Sequence, residues 1–283
     1  MNLRPSWRHA GLAAALLLTG CAKKAPDDRA LFQQAQPLSD AVLANPPAAT
    51  PAQVAQAVEA LEAVAAKGQG LYWAGRAEQE LARMYMARGE PAKAREQSTH
   101  IFWYYHQYAD LGMTALITIA KSYEAQQNWP AAEKAYKTIN DHYQWWPVWL
   151  EAPLYPAQMY ERIGDQPQAA KAYERAASLL EARVRTAPNP WLEGRASMHL
   201  ATARERLGQW PQAVAILEAL VSPVKKGIEP GAVLMQLADL YAAPGREPAK
   251  ARAALERILK EFPGDPLASK AKAQLDALSA SAP

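Results

Sequence analysis

The hexapeptide Glu-Pro-Ala-Lys-Ala-Arg occupies residues 90–95 and returns unchanged at residues 247–252. Aligning the chain on this recurrence reveals related units between the two copies, so that about five units cover residues 75–265. Each step of 37–44 residues accommodates two helices and their turns. A stack of similar units builds an extended surface, whereas a catalytic site needs one unique arrangement of side chains. The repeat therefore predicts a helical array whose function lies in its surface.

Small residues recur in register along these units. Each unit has an anchor alanine in its first helix and a second alanine about twelve residues later; the pairs are Ala82/Ala94, Ala120/Ala132, Ala157/Ala169, Ala201/Ala213 and Ala238/Ala251. Four units carry a tyrosine three residues after the anchor, namely Tyr85, Tyr123, Tyr160 and Tyr241. Alanine where two antiparallel helices cross lets their backbones approach, and the larger residues fill the space between neighbouring hairpins.

Turn residues separate the two helices of each unit. Four turns contain a glycine, which tolerates the left-handed conformation that ends a helix: Gly89, Gly164, Gly208 and Gly245. The second unit has Gln127-Asn128 instead. Every second helix then opens with a proline in its first turn, where a missing N–H costs nothing: Pro91, Pro130, Pro167, Pro211 and Pro248.

This pattern resembles the tetratricopeptide repeat (TPR) family over about two-thirds of the chain. The resemblance implies an all-α, right-handed TPR solenoid of about five helical hairpins with a C-terminal capping helix. The predicted units lie near residues 75–108, 112–146, 150–185, 191–225 and 230–264, and the cap at 266–278. The family's initial Trp is absent, only the last unit keeps the closing proline (Pro263), and the extra length is assigned to the linkers. Pro156 delays the first helix of the third unit to near Pro153.

The chain upstream of the array is predicted in three parts. Residues 51–65 form an amphipathic helix that serves as an N-terminal half-unit, because Asn45-Pro46-Pro47 excludes a full partner helix. Residues 21–50, rich in Ala, Pro and Gln, are predicted to be a flexible tether with a short helix around residues 31–36. The solenoid domain is accordingly placed at residues 51–283.

The first 20 residues have the features of a secretory signal: basic residues, a short apolar run and small residues before Cys21. The ending Leu18-Thr19-Gly20-Cys21 is similar to a bacterial lipobox, which implies cleavage before Cys21 and lipidation of that residue, the only cysteine in the chain. An ordinary signal peptide is the alternative. Ala22 after the lipidated Cys favours, by resemblance to enteric lipoproteins, the outer membrane with the solenoid facing the periplasm.

Charge and motif content bear on the function class. Removing residues 1–20 takes away Arg4 and Arg8, which leaves a net charge of +1 and gives no indication of nucleic-acid binding. The few histidines form no zinc motif, and neither a nucleophile elbow nor a phosphate-binding glycine loop occurs. The sequence therefore predicts no enzyme, no metal and no cofactor.

Aromatic residues are concentrated at the ends of the first two units, in residues 102–108 and 142–149. One interpretation is that these rings pack between hairpins. The other is an aromatic shelf for a partner chain or a glycan, because Trp and Tyr offer rigid contact area. The shelf residues would be Trp103, Tyr104, Tyr105, Trp145, Trp146 and Trp149.

The family's concave groove is lined by set positions of each first helix, and the resemblance carries these onto polar residues here. They are Arg76, Gln79, Arg83, Lys121, Glu124, Glu151, Gln158, Glu161, Arg195, Thr202, Glu205, Gln236 and Asp239. The first unit is basic at these positions and the third is acidic, a pattern suited to a charged peptide.

These features together predict a lipid-anchored scaffold that holds a protein or peptide client in the bacterial envelope. The arrangement resembles TPR lipoproteins of outer-membrane assembly, pilotins of secretins, and coordinators of Tol–Pal machinery. The alternative is a glycan- or peptidoglycan-binding module that uses the aromatic shelf.

Overall fold

A computed structural model describes residues 27–68, 71–143, 150–225 and 227–280 of the 283-residue chain. These residues form thirteen α-helices and no β-strand. The helices are α1 Asp28–Ala44, α2 Pro51–Ala65, α3 Tyr72–Ala87, α4 Pro91–Tyr105, α5 Ala109–Ala125, α6 Trp129–Tyr143, α7 Tyr155–Arg162, α8 Gln166–Thr186, α9 Pro190–Arg206, α10 Trp210–Val221, α11 Pro230–Ala242, α12 Pro248–Glu261 and α13 Ala268–Ala280.

Consecutive helices pack as hairpins, and the hairpins stack. Each odd-numbered helix from α1 to α11 packs against the following even-numbered one, and α13 packs against α12. First helices also meet across the stack, because α3 contacts both α1 and α5, and α11 contacts α9. This is the all-α solenoid that the repeat predicts.

The array holds six hairpins rather than about five, because α1 is a full partner for α2. The predictions of a tether through residue 50 and of a half-unit at residues 51–65 are therefore wrong. Phe32, Ala35 and Val42 lie on one face of α1 and are each at most 2% exposed. Their spacing is that of an amphipathic helix, and the prolines at 46 and 47 fall after the helix has ended.

The alignment of small residues is confirmed by their burial. All ten anchor and second alanines are exposed by 2% or less. Gly89, Gly164, Gly208 and Gly245 adopt φ values between 74° and 79°, and Gln127 replaces them in the second unit with a φ of 57°. Prolines open the second helices in the first or second position, as predicted.

The sequence pattern assigns the extra length of the longest unit to a linker. In the structure this extra length lies in a helix instead. α8 has 21 residues, whereas α4 and α6 have 15 each. Only three residues, 187–189, separate α8 from α9. In the third unit a 3-10 turn at Ala152–Leu154 precedes α7, which begins at Tyr155.

Candidate functional site

The predicted groove residues lie on the first helices of the hairpins, with Glu151 just ahead of the 3-10 turn, and we call this surface the first-helix face. Their surroundings differ from the open polar surface that a groove implies. Gln79 is only 9% exposed, and most of the others are half-buried. Arg83, Lys121 and Asp239 are exposed.

Three groove glutamates form an ion-pair ladder with arginines of the next unit. Arg162 donates to Glu124 at 2.7 Å, Arg206 donates to Glu161 at 2.9 Å and Arg246 donates to Glu205 at 3.1 Å. We call these three pairs the Glu–Arg ladder. Its glutamates are already engaged within the chain, so they have less capacity for a client than an unpaired carboxylate.

Two of these glutamates also accept a hydrogen bond from their own unit. The hydroxyl of Tyr136 donates to Glu124 at 2.7 Å, and that of Tyr173 donates to Glu161 at 2.8 Å. Burial, followed by the adjacent carboxylate, raises the pKa of both phenols well above its usual value. Each glutamate therefore links the two helices of one unit to the following unit.

The basic end of the first-helix face lies on α3. Arg83 pairs with the buried carboxylate of Glu80 at 2.6 Å, and the Arg76 guanidinium lies 5.8 Å from the ring centre of Phe32 in α1. Nε of Arg76 and Oε1 of Gln79 are buried beside these contacts and have no hydrogen-bond partner among the described residues.

The polar groove residues of the last units are partly engaged with one another. Gln236 donates to the hydroxyl of Thr202 at 3.0 Å and to the carbonyl of Met198, and Gln274 of α13 donates to Asp239 at 3.2 Å. Gln236 stands two residues before Ala238, whereas Gln79 stands three before Ala82. Gln236 is therefore one position out of register with the other groove residues, and its side chain faces α9.

Four predicted groove residues remain to be placed. Arg195 of α9 is half-buried, and its Nε has no hydrogen-bond partner among the described residues. Glu151 accepts a hydrogen bond from the Tyr155 hydroxyl at 2.8 Å. Lys121 is exposed and Gln158 is half-buried, and neither makes a hydrogen bond or ion pair in the described part of the chain. Lys121 and Gln158 are accordingly the groove side chains best placed to contact a client.

Comparison with known proteins agrees with this architecture. Two family models described as tetratricopeptide repeats match residues 195–222 and 231–275, which correspond to the last two hairpins and part of α13. These two segments match tetratricopeptide repeats. Repeats of this family generally serve as scaffolds for protein–protein interaction.

Two solved structures of TPR-type proteins match the chain at low TM-scores. TPR-like repeats of a putative kinesin light chain from Podosopora anserina match with 21% identity over 69% of this chain and 94% of that one, with a TM-score of 0.41. A tetratricopeptide repeat protein from Parabacteroides merdae matches with 12% identity over 88% and 99%, with a TM-score of 0.36. No curated protein sequence matches the chain. These likenesses carry no information about a partner.

The aromatic shelf is only partly an exposed surface. Trp103 and Tyr104 are 69% and 44% exposed, but Tyr105 is fully buried. Successive residues of a helix point about 100° apart, so three in a row cannot share one face, and the assignment of Tyr105 to the shelf is wrong. Trp145, Trp146 and Trp149 lie outside the described residues, as do the signal segment and Cys21.

A buried polar cluster behind the shelf was not predicted. The Tyr105 hydroxyl donates to Oε1 of Glu78 at 3.0 Å, and Nδ1 of His100 lies 2.6 Å from Oε2 of the same residue. Glu78 is 4% exposed. A signal existed in the sequence, since Glu78 lies on the apolar side of α3 between Ala77 and Leu81.

Two further properties of the described residues bear on function. No helix among them combines the length and apolarity needed to cross a bilayer. No group of three or more His, Cys, Asp or Glu side chains in the same residues is placed to hold a metal ion.

Proposed function

We propose that this protein is a non-enzymatic scaffold that holds an extended peptide segment of an envelope protein along its first-helix face. The observation that carries the proposal is a pair of accessible polar side chains on neighbouring first helices, Lys121 of α5 and Gln158 of α7, which make no hydrogen bond or ion pair among the described residues. The main chain and the side chains of an extended peptide supply acceptors and donors for such groups.

Charge supports the same occupant. Lys121 is exposed and makes no ion pair among the described residues, whereas three of the five acidic groove positions are neutralised by the Glu–Arg ladder. The part of the face around Lys121 is therefore cationic, which favours a peptide segment that carries acidic residues.

Anchoring at Cys21 is the second part of the proposal, and it rests on the lipobox-like segment. Because α1 begins at Asp28, only residues 22–27 would connect the lipidated cysteine to the folded array. Six residues span at most about 22 Å when fully extended. A client bound to the solenoid would thus be kept close to the membrane surface, in outer-membrane protein, secretin or pilus assembly.

Photo-crosslinking in cells tests the scaffold. A photoreactive residue at position 121 or 158 samples the first-helix face, and one at exposed Lys134 of α6 or Lys171 of α8 samples the outer helices as a matched control. We expect one or two dominant envelope proteins at positions 121 and 158 and none of them at the control positions. Equal capture at all four positions would refute binding at the first-helix face.

Membrane fractionation tests the anchor. Cys21→Ser should release the protein from the membrane pellet into the soluble envelope fraction, while the wild type stays in the pellet. A Ser variant that pellets like the wild type would rule out anchoring through this cysteine.

The second candidate function is glycan binding, which the exposure of Trp103 favours. An indole that is 69% exposed on a helix presents the flat apolar face that sugar rings stack on. Co-sedimentation with purified peptidoglycan tests this candidate. Trp103→Ala should abolish co-sedimentation, and the exposed neighbour variant Thr99→Ala should retain it; binding unaffected by Trp103→Ala would eliminate the candidate.

A further inference from the structure

The first helices of the first three hairpins begin at one edge of the array. The Phe32 ring near the start of α1 lies 5.3 Å from the Trp73 ring at the start of α3, and the Arg29 guanidinium lies 5.7 Å from the centre of the same indole. The start of α3 is joined in turn to that of α5, because the Tyr72 hydroxyl donates to Asp110 at 2.9 Å. We call this side of the array the proximal edge.

The proximal edge exposes large apolar side chains. α4 ends there, because its last residue, Tyr105, belongs to the same buried cluster as Leu111 at the start of α5. The two residues before it, Trp103 and Tyr104, are exposed, and so is Leu71 directly before α3. Three of the six large hydrophobic side chains that are exposed in the described part of the chain therefore lie at this edge of the first two complete repeats.

The segment that leads to the lipidation site starts from the same edge. α1 begins at Asp28, so residues 22–27 connect it to Cys21, and they span at most about 22 Å. The opposite edge stands one helix length further away, which is about 22 Å for the 15 residues of α2 or α4. If Cys21 is lipidated, as in the proposed function on which this step rests, the proximal edge is the side of the array that can reach the bilayer.

We propose that the proximal edge lies on the membrane surface as a second contact beside the lipid. Trp103, Tyr104 and Leu71 would enter the interfacial layer of the bilayer, where tryptophan and tyrosine are preferred because one end of the ring system is apolar and the other polar. Arg29 would lay its stem along the Trp73 indole and place its guanidinium at the level of the lipid phosphates.

Charge near the start of α1 suits a phosphate-bearing surface. Arg29 and Lys67, which follows the end of α2, are exposed and make no ion pair among the described residues. Two of the nearby carboxylates are already engaged, since Asp27 accepts from a backbone N–H of α1 at 2.7 Å and Asp110 accepts from the tyrosine hydroxyl. Asp28 is half-buried in the first turn of α1 and offsets part of the positive charge. The two cations are thus the groups available to lipid phosphates.

Contact through this edge alone is a weak and reversible attachment, because stable anchoring takes two signals. The lipid would retain the protein at the membrane, and the proximal edge would set its orientation. The helices would then stand away from the bilayer, which leaves the first-helix face uncovered for a client. A chain without the lipid would still be released from a washed membrane pellet.

The experiment measures binding of the purified Cys21→Ser chain to lipid vesicles, so its outcome does not depend on whether Cys21 is lipidated. Vesicles of phosphatidylethanolamine and phosphatidylglycerol in equal amounts are compared with vesicles of phosphatidylcholine by co-sedimentation over a range of lipid concentrations. We expect reversible binding to both, tighter to the anionic vesicles and weakened there by salt.

Variants locate the contact on the molecule. Trp103→Ala and Leu71→Ser should each weaken vesicle binding about tenfold, because each removes apolar surface that binding buries. Arg29→Gln should weaken binding about fivefold, and only to the anionic vesicles. The matched controls are Ile163→Ser, which removes an exposed apolar side chain from the turn after α7 at the opposite edge, and Lys134→Gln, which removes an exposed charge from α6. Both controls should bind like the parent chain.

Absence of binding to either kind of vesicle, or equal losses in Trp103→Ala and Ile163→Ser, would overturn the proposal. Unchanged vesicle binding of Trp103→Ala together with lost co-sedimentation with peptidoglycan would also overturn it and would assign the indole to a glycan. Fractionation of Cys21→Ser in cells tests the anchor separately. Vesicle binding that depends on Trp103 and Leu71 would support the membrane-contacting edge even if that fractionation ruled out the anchor.

Discussion

Nη1 of Arg206 donates a 2.9 Å hydrogen bond to Oε1 of Glu161, and this ion pair joins the fourth repeat to the third. The same connection recurs between the neighbouring repeats through Arg162 and Arg246. The side chains of Arg206 and Glu161 are 52% and 34% exposed, respectively. Solvent therefore screens the pair, and its role is to set the register between repeats more than to add stability.

A double-mutant cycle on Glu161→Gln and Arg206→Gln checks this role. We expect each single change to lower the free energy of unfolding by about 1 kcal/mol or less, with a coupling energy of about 0.2–1 kcal/mol. Urea unfolding of the four proteins gives the values. A coupling energy above about 2 kcal/mol would mean that the ladder is a main source of stability.

The ladder illustrates what the sequence could and could not predict. The anchor and second alanines can be predicted because their spacing recurs from unit to unit, and the burial of all ten follows from helix packing. The partners of Glu124, Glu161 and Glu205 are 38, 45 and 41 residues away. Assigning them requires knowing which face each helix turns to its neighbour. One signal was available, since the dipeptide Glu-Arg occurs in register at 161–162 and 205–206.

The prediction of a tether in place of α1 is wrong because it follows the amino-acid composition of this segment and not the spacing of its apolar residues. Ala, Pro and Gln dominate residues 22–50 and favour a tether, but Phe32, Ala35 and Val42 are spaced to bury one helical face. Pro37 lies inside the helix, where proline is normally unfavourable. Packing against α2 and α3 overrides that local preference.

Phe32→Ala tests whether α1 belongs to the folded array. Phe32 is 2% exposed and its ring lies 5.3 Å from that of Trp73. We expect the substitution to lower the free energy of unfolding by about 3–5 kcal/mol, because it leaves a cavity in the core. Gln33→Ala, at the exposed neighbouring position, should change it by about 0.5 kcal/mol or less. Equal, small effects of the two substitutions would show that residues 28–44 are not packed into the folded array.

Tyr104 and Tyr105 at the end of α4 differ in burial, because Tyr104 is exposed and Tyr105 is packed in the core. Tyr105→Phe removes the hydroxyl that donates to buried Glu78, so we expect a loss of about 1–3 kcal/mol in the free energy of unfolding. Tyr104→Phe removes a hydroxyl from a side chain that is 44% exposed and should have almost no effect. Thermal and urea unfolding measure both. Similar losses for the two variants would contradict the division of these residues between core and surface.

Trp103→Ala extends the comparison to the exposed part of the shelf. Because the indole is 69% exposed, we expect the thermal midpoint to stay close to that of the wild type and the helical circular-dichroism signal to be unchanged. This outcome would make any loss of glycan or protein binding in the variant a direct effect on recognition. A large fall in the midpoint would instead assign Trp103 to packing.

His199 makes stability depend on pH in a defined window. Burial and the neighbouring Arg195 and Arg183 lower the pKa of its imidazole in the folded chain to about 4, whereas the unfolded value is about 6.5. The unfolded state therefore binds the proton first as the pH falls. The contribution of His199 is fully present above about pH 6.5 and is lost progressively toward about pH 4, amounting to about 3 kcal/mol.

Urea unfolding at a series of pH values measures this dependence. His199→Gln should flatten the stability profile between about pH 6.5 and 4.5, a range in which most carboxylates are still ionised. Arg195→Gln should make the slope shallower, because removing one positive neighbour raises the His199 pKa toward its unfolded value. His142→Gln, at an exposed histidine of α6, is the matched control and should keep the wild-type slope. A wild-type profile that is already flat in this window would show that the imidazole is not held neutral by its surroundings.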